Sequence, residues 1–250
     1  FGYREETIGA HASFSRKWNR HVTASVFTGI DSTKDTSGLL TLLELGPSDY
    51  RVAKAGASFT LDYRNSPVLP TKGWLIGGTL TDGFGVGGLD LNYLRTDLNF
   101  AFYQPITKRL RAAVQARVSA LQTSSAVSDI PIDLRLFNGG ATTVRSFAER
   151  ELGLEASDGT PLGGKVTHVF NAELSYEIIE NLELATFADA GNLVRDSNSI
   201  ASLHDMRYAV GLGVRYKLPF GPLRVDYGFN PSRRQGEKTG ALHITFGFAF

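Results

Sequence analysis

The chain has 250 residues, with 26 Lys+Arg against 25 Asp+Glu, no cysteine, one methionine, 27 glycines, 16 phenylalanines and 9 tyrosines. A charge balance this close to neutral gives no electrostatic case for binding nucleic acid, and the lack of cysteine excludes disulfides and thiolate metal sites. Mean hydropathy is −0.11, and the purest apolar run, Leu39–Leu43, is broken by Thr41. Nothing therefore approaches the ~20 apolar residues of a membrane-crossing helix. Phe1–Arg20 carries Glu5, Glu6, His11 and Arg16, where a signal peptide would need an apolar stretch.

Period-two alternation recurs along the whole chain and helical periodicity does not, which predicts an all-β protein. In chain order the candidate strands are Thr7–Arg16, His21–Ile30, Arg51–Arg64, Trp74–Asp82, Asn92–Gln104, Leu110–Gln122, Val166–Ile178, Leu182–Gly191, Met206–Leu218, Leu223–Asn230 and Ala241–Phe250. The ninth alternates most clearly. Tyr208, Val210, Leu212, Val214, Tyr216 and Leu218 fall on one face, and Arg207, Ala209, Gly211, Gly213, Arg215 and Lys217 on the other. The tenth sets Leu223, Val225, Tyr227 and Phe229 against Arg224, Asp226, Gly228 and Asn230. The eleventh sets Leu242, Ile244, Phe246, Phe248 and Phe250 against Ala241, His243, Thr245, Gly247 and Ala249.

The connections alternate between short turns (Trp18–Arg20, Ser66–Gly73, Pro105–Arg109, Ile179–Asn181, Pro219–Pro222) and longer loops, of which Thr123–Lys165 is the longest. Short turns at one end, long loops at the other and aromatics at strand ends are the pattern of a transmembrane antiparallel β-barrel. A soluble β-sandwich or lipocalin-like barrel alternates in the same way, with the opposite face turned to water. The small and polar content of the second face favours the membrane. If the Thr123–Lys165 connection lies outside the cell, counting back places Phe1 at the outer surface. Bacterial barrels normally have an even strand number and both ends on the inner side, so at least one strand is expected upstream.

The segment Ser128–Phe147, SDIPIDLRLFNGGATTVRSF, is more specific than a pattern. Arg135, Leu136, Phe137, Gly139, Gly140, Thr143, Val144, Arg145, Ser146 and Phe147 follow R-[FL]-[FY]-x-G-G-x-x-[ST]-[VI]-R-G-[FY], apart from one position. This resembles the inward-folded loop of the BamA/TamA superfamily of outer-membrane insertases. LDYRNSPVLPTKGW (Leu61–Trp74), FADAGNL (Phe187–Leu193) and LPFGPLRVDYGF (Leu218–Phe229) resemble further motifs of that superfamily in order and spacing. DGTPLGGKVTHVFNAELSYEI is more similar to its TamA-like branch. The departure is Ser146, where the family has glycine, which asks a side chain to fit a tight turn against the barrel wall.

The resemblance implies the C-terminal part of a barrel of roughly 16 strands, of which about 11–12 lie in this chain. Residues 1–250 would form one barrel domain, with the earlier strands and the soluble POTRA domains outside it. It implies location in the outer membrane of a Gram-negative bacterium or a bacterially derived organelle. Its partners would be client outer-membrane proteins, membrane lipids and periplasmic or inner-membrane accessory proteins. It implies that Arg145 turns into the lumen toward Glu173 and Asp189, both on the polar face of their strands, and that Phe246, Phe248 and Phe250 form a C-terminal sorting signal. The barrel would act through a weak lateral seam between its first and last strands. A two-partner-secretion-like pore and a structural or receptor barrel without insertase activity are the alternatives.

Catalytic readings find little support. Gly83, Gly85 and Gly88 satisfy G-x-G-x-x-G, but the residues that follow alternate as a strand, so no helix N-terminus is available to hold a phosphate. His11, His21, His168, His204 and His243 are scattered, and no G-x-S-x-G occurs. Asp97, Arg95 and Asn99 share one face and read as lumen lining. Neither an enzyme, a cofactor nor a metal is expected.

Overall fold

In the computed structural model, residues 3–37, 40–196, 198–218 and 221–247 are described. They form one antiparallel sheet in which each strand pairs with the next in sequence: β1 (Tyr3–Lys17), β2 (Val22–Ser37), β3 (Asp49–Asp62), β4 (Gly73–Val86), β5 (Asn92–Pro105), β6 (Leu110–Gln122), β7 (Val166–Ile179), β8 (Leu182–Val194), β9 (Arg207–Leu218), β10 (Gly221–Phe229) and β11 (Gly240–Phe246). A single helical turn, α1 (Leu42–Leu45), sits between β2 and β3, and two 3₁₀ turns (Val127–Asp129 and Ile132–Leu134) lie in the long β6–β7 connection.

Exposure along the strands separates the two readings of the alternation. On β9 the apolar series is open, with Leu212 at 66% exposure, whereas Arg215 on the reverse face is at 1%. Ile8, Phe14, Val26, Leu174, Leu184, Ile244 and Phe246 are likewise exposed, while Arg111, Gln115, Asn171, Glu173, Glu183 and Asp226 are buried. A soluble sandwich would show the inverse, because burial of apolar area drives its folding. The apolar face is convex toward lipid, and the polar face lines the lumen. No helix among the described residues is long and apolar enough to cross a membrane.

At the short-turn end Tyr63 stacks on Trp74 with ring centroids 4.5 Å apart and on His21 at 4.2 Å, and Trp18 lies exposed beside them under the Arg16 guanidinium. Amphipathic rings of this kind suit the interface between hydrocarbon and water. The strands reach further than the alternation predicts at the opposite end. β2 continues from Ile30 to Ser37 and β4 from Asp82 to Val86. About 9–11 residues suffice to cross the bilayer, whereas β2 has 16. Past the hydrocarbon no lipid demands an apolar face, so both parities of Asp31–Ser37 turn polar while the backbone ladder continues.

The long-loop end carries its own apolar packing inside the lumen. Ile130 and Leu136 from the loop pack with Tyr50, Val52, Leu91, Tyr93 and Leu121 of the wall, and Ile132 packs with Leu40 and Leu45. Gly83 and Gly85 lie within β4, and β5 follows without an intervening helix, so the glycine-rich motif is a strand end and a turn.

Candidate functional site: the inward loop and its buried charges

Within the long loop, Gly139 (φ 96°) and Gly140 (φ 123°) take backbone conformations that side chains rarely adopt. They turn the chain so that residues 141–147 run along the lumen face of the sheet. Gly139 N–H is capped by the Asn138 side chain, whose Nδ2 donates to the carbonyls of His168 and Asn192.

Arg145 lies at the centre of this stretch and is fully buried. Its Nε and Nη2 donate to the two carboxylate oxygens of Asp189 at 2.9 and 2.8 Å, a bidentate fork, and Nη1 donates to Glu173 Oε2 at 3.0 Å. The backbone N–H of Arg145 also donates to Asp189 Oδ2, at 3.1 Å. The guanidinium carbon sits 3.4 Å from the centroid of the Phe187 ring, so the charge is covered by an aromatic face as well as by carboxylates.

The site is larger than these three residues. Arg215 donates to Glu173 at 2.6 Å and lies 3.2 Å from Asp226, which also contacts Arg224 and stands 3.7 Å from Arg145. Three guanidinium groups thus face three carboxylates. Ionised groups away from water need this mutual compensation, because desolvating an unpaired charge costs several kcal/mol or more. Burial lowers the proton affinity of the Arg145 guanidinium, but Asp189, Glu173 and Asp226 outweigh it and hold the group above its ordinary range.

The loop backbone is held with equal thoroughness. The carbonyl of Ala141 accepts from Arg224 on β10, that of Thr142 from Arg117 on β6, that of Thr143 from Asn171 on β7 and that of Arg145 from His243 Nε2 on β11. With Asp189 on β8 and Tyr208 on β9, residues 141–146 are bonded to every strand from β6 to β11. Gly228 of β10 allows this approach, since a Cβ there would collide with the Arg145 carbonyl.

Ser146 is accommodated where the family has glycine. It is not among the residues with positive φ, so the turn does not demand glycine here. Its buried hydroxyl donates to the Tyr208 carbonyl at 2.8 Å and ties the loop to β9. Val144 packs with Phe147, Leu152 and Ala209, and the Arg207 guanidinium lies over the Phe147 ring at 5.1 Å. Arg135 stands apart from the charge cluster. Its Nε and Nη1 donate to the carbonyls of Ile130 and Leu162, and burial pushes its pKa down to about 10. Phe246 is exposed on β11 opposite Leu223, whereas Phe248 and Phe250 lie outside the described residues.

Sequence reasoning placed Arg215, Arg224 and Asp226 on the lumen face without joining them to Arg145, and it missed Arg117, Asn171, Phe187 and His243 as loop contacts. The available signal was parity. Partner choice needed the register, which brings Asn171 opposite Asp189, and Asp226 opposite both Gly213 and His243. Arg95 and Asp97 do form a lumen-lining pair at 2.9 Å. Among the described residues no group of acidic, histidine or cysteine side chains could hold a metal ion.

A continuous meander with a lipid-facing apolar wall and a charged lumen defines an outer-membrane β-barrel domain. The Omp85 superfamily domain matches residues 2–250, and the chain belongs to that superfamily. It is 26% identical over 201 residues to the outer membrane protein assembly factor BamA of Nitratidesulfovibrio vulgaris, covering 78% of this chain and 25% of that protein. It is 28% identical over 131 residues to the chloroplastic outer envelope protein 39 of Arabidopsis thaliana, covering 50% of this chain and 34% of that one. The chain therefore spans only a quarter to a third of these relatives. Its fold superposes on BamA from Haemophilus ducreyi lacking POTRA domains 1–3 with a TM-score of 0.78 at 16% identity, covering 97% of this chain and 54% of the other. For CdiB from Acinetobacter baumannii the TM-score is 0.62 at 16% identity, covering 96% and 41%.

Proposed function

We propose that this barrel domain assembles client outer-membrane proteins at its wall, through a lateral seam alongside β11, with membrane lipid as the receiving phase. The supporting observation is the brace formed by residues 141–146, which occupies the lumen side and is bonded to six successive strands. Passage of a polypeptide along that side would require breaking the three-Arg, three-carboxylate cluster. An unpaired strand edge instead offers N–H and C=O groups to an incoming strand at no such cost. In this reading Arg145, Glu173 and Asp189 are positioning residues that hold the last strands in a fixed relation to the loop. The C-terminal series Phe246, Phe248 and Phe250 serves the chain's own delivery to the membrane.

The greater length of the relatives supports reading residues 1–250 as the C-terminal barrel portion of a longer protein. The TamA-like branch, and accessory proteins of the periplasm or inner membrane, belong to the same proposal. Photo-crosslinking in cells tests it. A crosslinker at Leu242 or Ile244 on β11 should capture the terminal strand of a client, and one at Ser119 in the lumen should not. Capture mainly from Ser119 would favour a two-partner-secretion-like pore, and capture from neither would favour a structural or receptor barrel.

A further inference from the structure

The long loop is attached to the wall at a second place, and the chemistry there is the reverse of the Arg145 cluster. Asp35 on β2 is 95% buried, and neither of its carboxylate oxygens has a hydrogen-bond partner. Thr33, two residues back on the same face of β2, pairs in register with Tyr50 of β3, whose hydroxyl reaches Asp133 in the second 3₁₀ turn of the loop, and this brings the Asp133 charge to bear on Asp35. Asp133 accepts the Tyr50 hydroxyl of β3 on Oδ2, while its Oδ1 is buried without a partner. Among the described residues neither carboxylate forms an ion pair. Three carboxylate oxygens at this corner of the loop are therefore buried without a donor.

We infer that Asp35 and Asp133 share one proton, so that the loop's hold on β2 is a titratable tether, closed when that proton is bound and opened when it is lost. Adjacent buried carboxylates cannot both ionise cheaply, because each raises the energy of the other's charge and neither is solvated. With one proton present, the pair becomes an O–H···O⁻ bond, among the stronger hydrogen bonds available to side chains. Without it, like charges push the turn at Ile132–Leu134 away from β2.

The surroundings supply little relief. From β1, Glu5 adds negative charge and the Tyr3 hydroxyl oxygen accepts from Arg150. From β3 comes the Tyr50 hydroxyl, and from β5 the buried hydroxyl of Tyr93. Within the loop, Arg135 gives Nε and Nη1 to carbonyls and keeps Nη2 buried without a partner, so its charge acts on Asp133 without a hydrogen bond to either carboxylate, and Arg150 lies over the Phe137 ring. Nearby, Lys54 and His11 are engaged with Asp31. Burial raises the Asp133 carboxyl above the ordinary carboxylate range and the Glu5 charge adds to this, although the Tyr50 bond works against it.

The sign follows from the raised value. The docked state binds more protons than the undocked one, so docking is strongest below the ordinary carboxylate range and weakens as pH rises through the raised pKa.

Hydrogen exchange on the full-length protein in detergent, corrected for intrinsic rates, tests it. Protection of the amides around Ile130–Arg135 should fall about tenfold between roughly pH 5 and pH 8. Protection around Val144–Phe147, held by Arg145, should not change. Asp35→Asn supplies a permanent N–H donor to Asp133 and should abolish the pH dependence while keeping the loop docked. Asp133→Asn is the converse variant should the first fail to fold. Protection that is independent of pH in the wild type, or a full pH dependence surviving in either variant, would overturn the shared proton. So would restoration of protection at pH 8 by millimolar calcium chloride in the wild type but not in Asp35→Asn, which would assign the site to a bridging cation.

Discussion

The two faces of β9 obey different solvents. On the convex face Tyr208, Val210, Leu212, Val214 and Tyr216 stand open, while on the concave face Arg207, Ala209 and Arg215 are buried. Apolar burial inside one chain cannot account for that wall, because its apolar side chains are turned away from the protein. Its stability comes from the inter-strand ladder and from lipid, and the lumen is held by hydrogen bonds and paired charges. The difference teaches where each kind of substitution will hurt.

The largest effect should come from the concave side. Arg145→Ala would leave Glu173 with Arg215 and the Ser175 hydroxyl and strip Asp189 of its two guanidinium bonds, with Asn171 and the residue 145 backbone N–H remaining. Breaking a buried pair from one side typically costs ~3–5 kcal/mol, less where water reaches the vacated space. Arg145→Lys keeps the charge but loses the bidentate fork and the planar contact with Phe187, and so should recover only part of the loss. Urea unfolding in detergent or lipid vesicles measures both. A Lys variant as stable as the wild type would show that charge alone, without geometry, holds the loop.

The convex face breaks by a different rule. Leu212→Arg places a charge in hydrocarbon and should cost ~2–4 kcal/mol near the bilayer midplane. Ser13→Arg, on the lumen parity of β1 opposite Phe27, should not carry that lipid penalty. Gly213 is a poor lumen control despite its parity, because any side chain there would meet Asp226 and Arg215. Reversible folding into vesicles of both variants gives the comparison, and equal losses would contradict the assignment of faces.

This division also explains what was legible beforehand. The wall could be read because lipid imposes one requirement on every second residue, independent of partners, so Leu212 and Val225 announce their face by composition alone. The outer end of β2 could not, since Asp31–Ser37 leaves the hydrocarbon and only backbone pairing continues. In the lumen, parity marked Arg215, Arg224 and Asp226 as inward, but which carboxylate meets which guanidinium depends on register across four strands, β7 to β10. The pairing of Arg145 with Glu173 and Asp189 came from a family motif rather than from spacing. Parity marked His243 and Asn171 as inward too, but it named no loop partner for them, because the loop contacts they make are to carbonyls that any residue would present.

The smallest effect expected concerns Ser146, and it sharpens the comparison by testing a single neutral bond within the charged face. Its hydroxyl donates to the Tyr208 carbonyl at 2.8 Å, and that oxygen belongs to a residue whose own side chain points to lipid. Ser146→Ala keeps the backbone preference and removes only the donor, so it should cost about 0.5–1.5 kcal/mol. Ser146→Gly restores the residue of the family motif but also frees the backbone. The turn takes no positive φ at this position, so glycine relieves no strain and loses additional entropy on ordering, typically ~0.5–1 kcal/mol relative to alanine. The expected order is therefore Ser above Ala above Gly, read as midpoints of thermal unfolding in detergent. A glycine variant more stable than the alanine one would mean that this turn is strained after all, and that the serine hydroxyl compensates for a conformation better suited to glycine.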